Sequence, residues 1–202
     1  MAGICSFAYL GENFIKNMNK RGPWTTLSVK TTYESPWIEV SHHNVLNPID
    51  EPGIYGVVHF KNVAVGVIPL DADNYTWIVG QYRYPLDAYS WEIPEGGSPV
   101  GTDPVASAKR ELREETGIIA SDWEQILTVH TSNSVTDEVG YVYLARNLTF
   151  TKPDPDPDEE LIVRKVHTDE LFAMVERGEI TDSISLAGIM KLQLLLLQEQ
   201  KG

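Results

Sequence analysis

The chain has 202 residues, of which 42% are hydrophobic and 22% charged, values typical of a globular protein long enough to bury a sizeable core. Its 29 acidic residues outnumber its 16 basic residues, giving a formal net charge of −13, which argues against a nucleic-acid-binding surface. A single cysteine, Cys5, excludes an internal disulfide, and the apolar stretches are too short to span a membrane. We therefore expect a cytoplasmic protein with neither a nucleic-acid nor a membrane partner.

The N-terminal part of the chain has a strand-like pattern ahead of a longer main domain. Residues 1–22 lack a clear periodicity and predict a loose lead-in or a short helix. Between Trp24 and Val45 the spacing of apolar residues favours strands, and a turn-rich connector, Asn47–Gly53, follows. We predict an N-terminal β extension over residues 1–50 and a main domain over residues 51–202. Because two strands are rarely stable alone, the extension must pack on the main domain or on another subunit.

The main domain alternates predicted strands and turns on both sides of one central helix. The predicted strands are apolar, β-branched segments bounded by turn residues: two within Gly53–Pro69, then Tyr75–Arg83, Tyr89–Ile93, Gln125–Ser132, Gly140–Arg146 and Leu161–Val166. An acidic, proline-spaced loop, Lys152–Glu160, predicts a stiff linker. Helices are predicted over Thr168–Arg177, capped by Thr168, and over Asp182–Gln198, capped by Asp182 or Ser183. This order predicts an α/β fold of the α+β type, with a mixed sheet between helices.

The central helix has clear start and stop signals. Asp103 is a good N-cap, and Pro104 suits the first helical position, where its missing N–H costs nothing. Gly117 can end the helix in the left-handed conformation. A glycine-rich loop that begins at Gly96 precedes this helix. Together they predict a loop–helix–loop unit.

An acidic cluster lies on one flank of this helix. Glu114 and Glu115 follow Glu111 by three and four residues, a spacing that brings their side chains close to that of Glu111 on a helix. The cluster is either a solvated charged face, with Arg110 and Arg113 as partners, or a cation site. Oxygen ligands of this kind suit hard cations such as Mg²⁺ or Mn²⁺. The glycine loop in front of the helix favours the cation site.

This loop and helix resemble the signature of the Nudix hydrolases. That signature is Gly, five residues, Glu, seven residues, then Arg-Glu-apolar-x-Glu-Glu-x-Gly-apolar. Here Gly96 opens the pattern, and residues from Arg110 to Ile118 fill its second half in register. The first glutamate of the pattern is replaced by Thr102, which leaves the main metal-binding run intact. The resemblance implies the family's α/β/α sandwich and the hydrolysis of a pyrophosphate linkage.

The resemblance also implies a set of metal ligands. Glu111 and Glu115, one turn apart, are expected to bind Mg²⁺ directly, and Glu114 is expected to bind a second ion or to act through water. The main-chain carbonyl of Glu95 is implied as a further ligand. Gly97, with the glycine before it, lets the backbone approach the ion and the phosphates, although a plain tight turn would also need glycine here.

A second acidic site is implied by the loop Ser132–Glu138. In Nudix hydrolases of sugar nucleotides, a loop at this point brings a glutamate to the metal cluster as a ligand or general base. Glu138 matches that glutamate best, with Asp137 beside it as the alternative. Without the resemblance, acidic residues at a loop end predict only solvated surface.

Residues upstream of the glycine loop resemble the subgroup of ADP-ribose and sugar-nucleotide pyrophosphatases. Arg83 is expected to bind a substrate phosphate, the alternative being a salt bridge to Glu92 or Glu95. Glu92 is expected either to bind sugar hydroxyls or to pair with Arg83. Trp37 lies in another stretch similar to the subgroup and is a candidate to stack on the base, but a buried core position is the preferred interpretation.

The sequence therefore predicts a Mg²⁺-dependent hydrolase of nucleoside diphosphate sugars, ADP-ribose or GDP-mannose in type, that releases a nucleoside monophosphate and a sugar phosphate. One alternative is a pyrophosphatase for a dinucleotide polyphosphate or NADH. Another is a sensor that binds a nucleotide sugar without cutting it, for which Thr102 is the hint. A homodimer is expected, because the extension has apolar strand faces and no evident partner within so small a domain, and the resemblance implies N-terminal strands that cross to a second subunit. The five histidines lack metal-ligand spacing and are predicted to be structural: His42, His43, His59, His130 and His167.

Overall fold

The computed structural model describes residues 19–154 and 160–199. The predictions for residues 1–18 and for the middle of the acidic loop lie outside the described residues. The chain folds as two compact units. The first is the described part of Met1–Phe60 together with Val135–Asp137, and the second is Lys61–Ser134 together with the described part of Glu138–Gly202.

The first unit contains an antiparallel sheet. Its strands are β1 (Asn19–Arg21), β2 (Trp24–Glu34), β3 (Ile38–Leu46) and β4 (Pro52–Phe60), paired in that order. The end of the segment predicted as a lead-in or short helix is thus a strand. β4 pairs with β3 from Leu46 opposite Pro52 to Ile38 opposite Phe60. The N-terminal part of this unit therefore ends at Phe60, whereas the predicted division lies after residue 50.

The second unit contains two sheets and the described helices. Its strands are β5 (Asn62–Pro69), β6 (Tyr75–Arg83), β7 (Ala88–Glu92), β8 (Glu95–Pro99), β9 (Ile118–His130), β10 (Val139–Phe150) and β11 (Ile162–His167). Its helices are α1 (Pro104–Thr116), α2 (Thr168–Glu176) and α3 (Ser183–Glu199). One sheet is mixed, in the order β8-β5-β10-β9, with β5 and β10 parallel. The other is antiparallel, in the order β11-β6-β7.

The mixed sheet is covered by helices on both faces. Successive side chains of a strand point to opposite faces of the sheet, and β5 has apolar side chains on both. On one face, Leu112 of α1 packs with Val65 and Val67 of β5. On the other face, Ile68 of the same strand packs with Leu192 of α3 and with buried residues of α2. The α/β/α sandwich is therefore confirmed. Each fully buried leucine of this kind stabilises the fold by about 2 kcal/mol.

The ends of α1 agree with the sequence signals. The Asp103 side chain accepts a hydrogen bond from the Val105 N–H at 3.2 Å, and Pro104 is the first helical residue. Gly117 follows the helix with a φ of 71°, and its N–H donates to the Arg113 carbonyl at 2.9 Å. These caps fix where the acidic turn of α1 ends.

The chain after β10 covers the carbonyl end of α1. The Thr151 N–H donates to the Gly117 carbonyl at 2.7 Å, and the Asp154 N–H donates to the Glu114 carbonyl at 2.9 Å. Carbonyl groups at a helix end need such partners, because the helix itself provides none. The start of the acidic loop therefore has a structural role beside the turn that carries the glutamates.

The helices α2 and α3 agree with the predicted ranges to within one residue at each end, and one cap is corrected. Thr168 is the first helical residue of α2, and the cap is His167, whose Nδ1 accepts from the Asp169 N–H at 3.3 Å. Asp182 has the predicted capping role in front of α3, since its Oδ2 accepts from the Ser185 N–H at 2.7 Å. Within residues 19–154 and 160–199, none of the helices has both the length and the apolar character that crossing a membrane requires.

Candidate active site

A cleft of ≈ 350 Å³ in the second unit brings together the ends of several elements. Its charged lining consists of one arginine and four carboxylates: Arg83, Glu95, Glu115, Glu138 and Asp182. They come from the end of β6, the start of β8, the last turn of α1, and the residues just before β10 and α3. The fold thus gathers residues that are far apart in the sequence.

The backbone of β8 lies directly against the acidic turn of α1. The Glu95 N–H donates to Oε2 of Glu115 at 3.2 Å, and Glu115 is only 4% exposed. A Cβ at Gly96 would overlap the carboxyl carbon of Glu111. Only glycine therefore lets Glu111 lie over this loop. Two of the predicted metal ligands face the same short stretch of backbone.

Arg110 pairs with two carboxylates of the acidic cluster. Its guanidinium donates to Oε1 of Glu111 at 2.5 Å and to Oε2 of Glu114 at 2.7 Å, and it reaches the Gly97 carbonyl at 3.4 Å. Arg113 lies 3.5 Å from Glu114. The partners predicted for a solvated charged face are therefore formed, but Glu111 is mostly buried, with 14% of its side chain exposed. A carboxylate that is mostly covered and lies next to a glycine loop is not an ordinary surface charge.

The donors in this region fit a hard divalent cation in their chemistry. Among the residues that the structure describes, no three His, Cys, Asp or Glu side chains converge in a way that could hold a metal ion. The Glu115 carboxylate nevertheless accepts a hydrogen bond from the Glu95 N–H, and the Glu111 carboxylate lies close to where a Cβ at Gly96 would be. Carboxylate and carbonyl oxygens are the ligands that Mg²⁺ and Mn²⁺ prefer.

Arg83 is held by two glutamates. Its Nε donates to both carboxylate oxygens of Glu92, at 2.9 and 3.1 Å, and its Nη2 contacts Glu92 and, at 3.4 Å, Glu95. The Glu92 side chain is 2% exposed, whereas that of Arg83 is 37% exposed. The salt bridge, which is the alternative expectation for Arg83, is therefore present. The exposed part of Arg83 still lines the cleft.

The carboxyl groups beside Arg83 have opposite pKa shifts. Burial, reinforced by the charges of Asp182 and Glu92, raises the pKa of Glu95 well above its usual value. Burial also acts to raise the pKa of Glu92, but the hydrogen bond and the charge of Arg83 outweigh it and lower that pKa. Glu92 is thus the ionised partner of Arg83. Since a nearby positive charge favours the charged form, a cation in the cleft would lower the pKa of Glu95.

The two acidic residues before β10 have different surroundings. Glu138 lines the cleft and accepts a hydrogen bond from Oγ1 of Thr131 at 2.5 Å. Asp137 accepts hydrogen bonds from His59 Nδ1 and, at 3.0 Å, from the Phe60 N–H. Burial acts to raise the pKa of Asp137, but these two bonds lower it overall. The placement favours Glu138 over Asp137 as the acidic residue of the cleft.

Thr102, which replaces the first glutamate of the signature, belongs to a chain of hydroxyl groups. Its Oγ1 donates to the Pro99 carbonyl at 2.6 Å and lies 3.0 Å from Oγ of Ser98. Ser98 is fully buried and accepts from Oγ of Ser107 at 2.9 Å. The substitution therefore ties the end of the glycine loop to α1 by neutral hydrogen bonds.

Two residues differ from their sequence interpretation. Trp37 lies on the first unit with 68% of its surface exposed, so its assignment to a core is wrong. Asp182 was predicted only as a cap, yet it also lines the cleft beside Glu95. A capping aspartate gives the same sequence pattern whether or not it borders a site, so the chain offers no signal for this second role.

Comparisons with known proteins agree with this geometry. Residues 60–184 match the family model of the NUDIX domain. The ADP-ribose pyrophosphatase of Bacillus subtilis (strain 168) is 36% identical over 141 residues, which are 68% of this chain and 76% of that relative. The chain belongs to the Nudix family. The ADP-ribose pyrophosphatase of Mycobacterium tuberculosis (strain ATCC 25618 / H37Rv) is 35% identical over 137 residues, 66% of this chain and 65% of that protein.

The fold of this Nudix protein also has a counterpart among solved structures. A crystal structure of an ADP compounds hydrolase superposes with a TM-score of 0.80 and 18% sequence identity, over 90% of this chain and 98% of the other. The prediction of a Nudix pyrophosphohydrolase is confirmed by the family match and the relatives. Nudix hydrolases act on nucleotide-derived substrates and generally need a divalent metal.

Proposed function

We propose that this Nudix hydrolase cleaves the diphosphate of nucleoside diphosphate sugars, with ADP-ribose as the first candidate and GDP-mannose as the second. The products would be a nucleoside monophosphate and a sugar phosphate. The observation that carries the proposal is the cleft that Arg83 lines together with Glu95, Glu115 and Glu138. Such a cleft offers one anchor for a phosphate and several oxygen donors for cations. The two relatives that are ADP-ribose pyrophosphatases support the substrate class.

The proposed metal is Mg²⁺, with Mn²⁺ as a possible substitute. Glu111 and Glu115 would hold it, with Glu114, Glu138 and the carbonyl of Glu95 as further ligands. When bound, the ion neutralises and polarises diphosphate oxygens. The burial of Glu115 and the close approach of Glu111 to the Gly96 backbone support this assignment.

The residues of the chain would position the substrate and handle one proton. The exposed side of Arg83 binds a phosphate while Glu92 holds its guanidinium from behind, which favours a positioning role for Glu92 over a contact with the sugar. Glu138 accepts the proton of the attacking water. Gly97 and the exposed Trp37 are the remaining candidates for contact with the substrate.

A substrate panel with product identification tests the proposal. The purified protein would be incubated with Mg²⁺ and ADP-ribose, GDP-mannose, UDP-glucose, NADH or a diadenosine polyphosphate. We expect the highest kcat/KM for ADP-ribose, with AMP and ribose phosphate as products. Turnover of NADH or the dinucleotide alone would favour the other pyrophosphatase, and binding of a sugar nucleotide without turnover would favour a sensor. Failure to release a monophosphate from any sugar nucleotide would defeat the proposal.

We also propose that the protein is a homodimer in the cytoplasm. Apolar side chains on strands of the first unit, among them Val29, Tyr33 and Ile54, are more than half exposed, and a second subunit would cover such a surface. A dimeric mass is expected by light scattering at micromolar concentration, and a monomeric mass would count against the proposal. The cytoplasmic location is supported by the single cysteine in the sequence.

A further inference from the structure

The segment that precedes Glu138 is bound to β4 through its backbone. The Val58 N–H donates to the Val135 carbonyl at 2.9 Å, and the Asp137 N–H donates to the Val58 carbonyl at 3.3 Å. Val58 and Thr136 form a parallel bridge between these bonds. The segment Val135–Asp137 thus lies beside β4 as a short extra strand. Any sequence with these N–H and C=O groups could make the backbone part of this contact.

Side chains fix the end of the segment more specifically. The Asp137 carboxylate accepts from Nδ1 of His59 through one oxygen and from the Phe60 N–H, at 3.0 Å, through the other. The His59 and Asp137 side chains are 51% and 49% exposed. An ion pair or hydrogen bond this exposed contributes little to the free energy of unfolding. Its effect is therefore expected on the local position of the chain rather than on global stability.

We propose that His59 is a positioning residue that holds Glu138 in the cleft. Asp137 and Glu138 are consecutive, so their Cα atoms are about 3.8 Å apart, and anchoring the first restricts the second. Thr131 then orients the Glu138 carboxylate through a hydrogen bond of 2.5 Å. The two adjacent acidic residues thus have different roles, since Asp137 anchors the segment and Glu138 lines the cleft. This inference rests on the role of Glu138 in the proposed function.

The expected effect is on turnover rather than on substrate binding. A displacement of about 1 Å at a reacting group can lower the rate about 100-fold. Loss of one of several anchoring bonds should cost less, so we expect about a tenfold lower kcat for His59→Ala. KM should stay within about twofold, because His59 contacts Asp137 and not the residues that would hold the phosphates. The midpoint of thermal unfolding should shift little, because the interaction between His59 and Asp137 is exposed to solvent.

Three single variants of the full chain test this inference with the best substrate of the panel and Mg²⁺. His59→Ala should show the loss in kcat. His59→Asn should recover most of it, because the asparagine amide nitrogen can donate from nearly the position of Nδ1. His42→Ala removes a histidine from the neighbouring strand β3 and serves as the matched control, with kcat unchanged. A wild-type kcat for His59→Ala would overturn the proposal.

A double-mutant cycle and hydrogen–deuterium exchange separate positioning from a general structural effect. If His59 acts through Glu138, His59→Ala should add little to the loss already caused by Glu138→Gln, whereas additive losses would contradict the link. His59→Ala should also speed amide exchange in residues 131–138 but not in α1, and unchanged exchange would contradict the anchor. A wild-type protein that hydrolyses no sugar nucleotide would defeat the proposed function instead. The exchange measurement would then still decide whether His59 holds this segment.

Discussion

At the scale of single residues, the candidate site depends on close approach of the β8 backbone to α1. The Gly96 backbone lies under the Glu111 carboxylate, and the neighbouring Glu95 N–H bonds to Glu115. The two glutamates are therefore held by the main chain of the loop as well as by their own helix. A substitution in this loop should therefore displace the carboxylates of these glutamates, although it does not replace the glutamates themselves.

A methyl group at Gly96 should displace Glu111. Gly96→Ala places a Cβ where the Glu111 carboxyl carbon now lies, so the carboxylate must rotate away. We expect kcat to fall about tenfold or more while the fold is retained, as monitored by steady-state kinetics and circular dichroism. Gly56→Ala is the control, because it is also a glycine of a strand but has no atom within 4 Å of its Cβ position. An active Gly96→Ala variant would argue against Glu111 as a metal ligand.

Glu115→Gln tests the most buried carboxylate of the cluster. The amide preserves the size of the side chain and an acceptor for the Glu95 N–H but removes the charge. If Glu115 holds a metal at the reacting diphosphate, kcat should fall by about 100-fold or more. The measurement is a Mg²⁺ titration of the rate, with the exposed Glu176→Gln on α2 as a control. A loss below about threefold would remove Glu115 from the proposed ligands.

The sequence predicts the acidic helix residues better than their partners. Spacing alone places Glu111, Glu114 and Glu115 on one flank, and in the structure Glu111 and Glu115 lie against the backbone of β8. The link between Asp137 and His59 joins positions 78 residues apart, which no local pattern can show. Trp37 illustrates the opposite error, because a tryptophan is usually buried and nothing near it in the sequence reveals that it is exposed.

At the scale of secondary-structure elements, the C-terminal end of α1 is the point where a backbone requirement and a packing requirement coincide. Gly117 has a φ of 71°, which disfavours side chains, and a Cβ there would also overlap the Thr151 carbonyl. Gly178, after α2, has the same φ but open space around its Cβ position. Alanine substitutions at the two glycines therefore distinguish the cost of the left-handed backbone conformation from the cost of a steric clash.

Gly178→Ala should lower the free energy of unfolding by about 1 kcal/mol, the usual cost of an L side chain in the left-handed region. Gly117→Ala should lower it by about 1–3 kcal/mol more, because the backbone at Thr151, just after β10, must also move. Denaturant unfolding of both variants measures the difference. Equal losses in the free energy of unfolding would show that the segment after β10 can move to accommodate a methyl group without destabilising the fold.

The turn between β5 and β6 is expected to give a pH-dependent contribution to stability. Oδ1 of Asp71 accepts from the N–H groups of Asp73 and Tyr75 at 3.0 and 2.8 Å, and Oδ2 lies 2.9 Å from Nζ of Lys165. Burial acts to raise the pKa of Asp71, but the bond to Lys165 and the two N–H groups lower it overall. The stabilisation is therefore complete above the unfolded pKa of about 3.9 and is lost as the pH falls through the lower folded value.

Asp71→Asn should lower the free energy of unfolding by about 1 kcal/mol at neutral pH. The difference from the wild type should shrink as the pH falls below about 4, because the carboxylate is then protonated first in the unfolded state and, at lower pH, in the folded state as well. Urea unfolding between about pH 7 and pH 3 measures it. The exposed Asp73→Asn, in the same turn, changes the net charge equally and is the control. A difference that is constant with pH would contradict the role of the charge.

Most elements were predictable because their signals are local. Asp103, Pro104 and Gly117 mark the ends of α1, and the strand Tyr75–Arg83 was predicted with its observed bounds. The assignment of β4 to the first unit was not predictable, since strand pairing depends on a register with β3 that apolar spacing does not encode.

At the scale of the whole molecule, the net charge of −13 should oppose the approach of an anionic substrate. Raising the ionic strength from about 0.01 M to about 0.15 M shortens the screening length from about 30 Å to about 8 Å. We expect kcat/KM for ADP-ribose to rise about two- to fivefold over this range at constant free Mg²⁺. A neutral osmolyte at equal osmolality is the control. A decrease with salt would mean that Arg83 and the bound cation dominate the encounter.

The parallel pairing of β5 with β10 also bears on how the chain is made. β5 is complete at Pro69, but its neighbour on one side spans Val139–Phe150. A nascent chain released from the ribosome residue by residue must therefore carry β5, with its buried valines, beside an open hydrogen-bonding edge until β10 emerges. Contacts so distant in sequence form slowly. This edge of β5 is therefore open to intermolecular pairing until β10 has been synthesised, and an open edge of this kind favours aggregation.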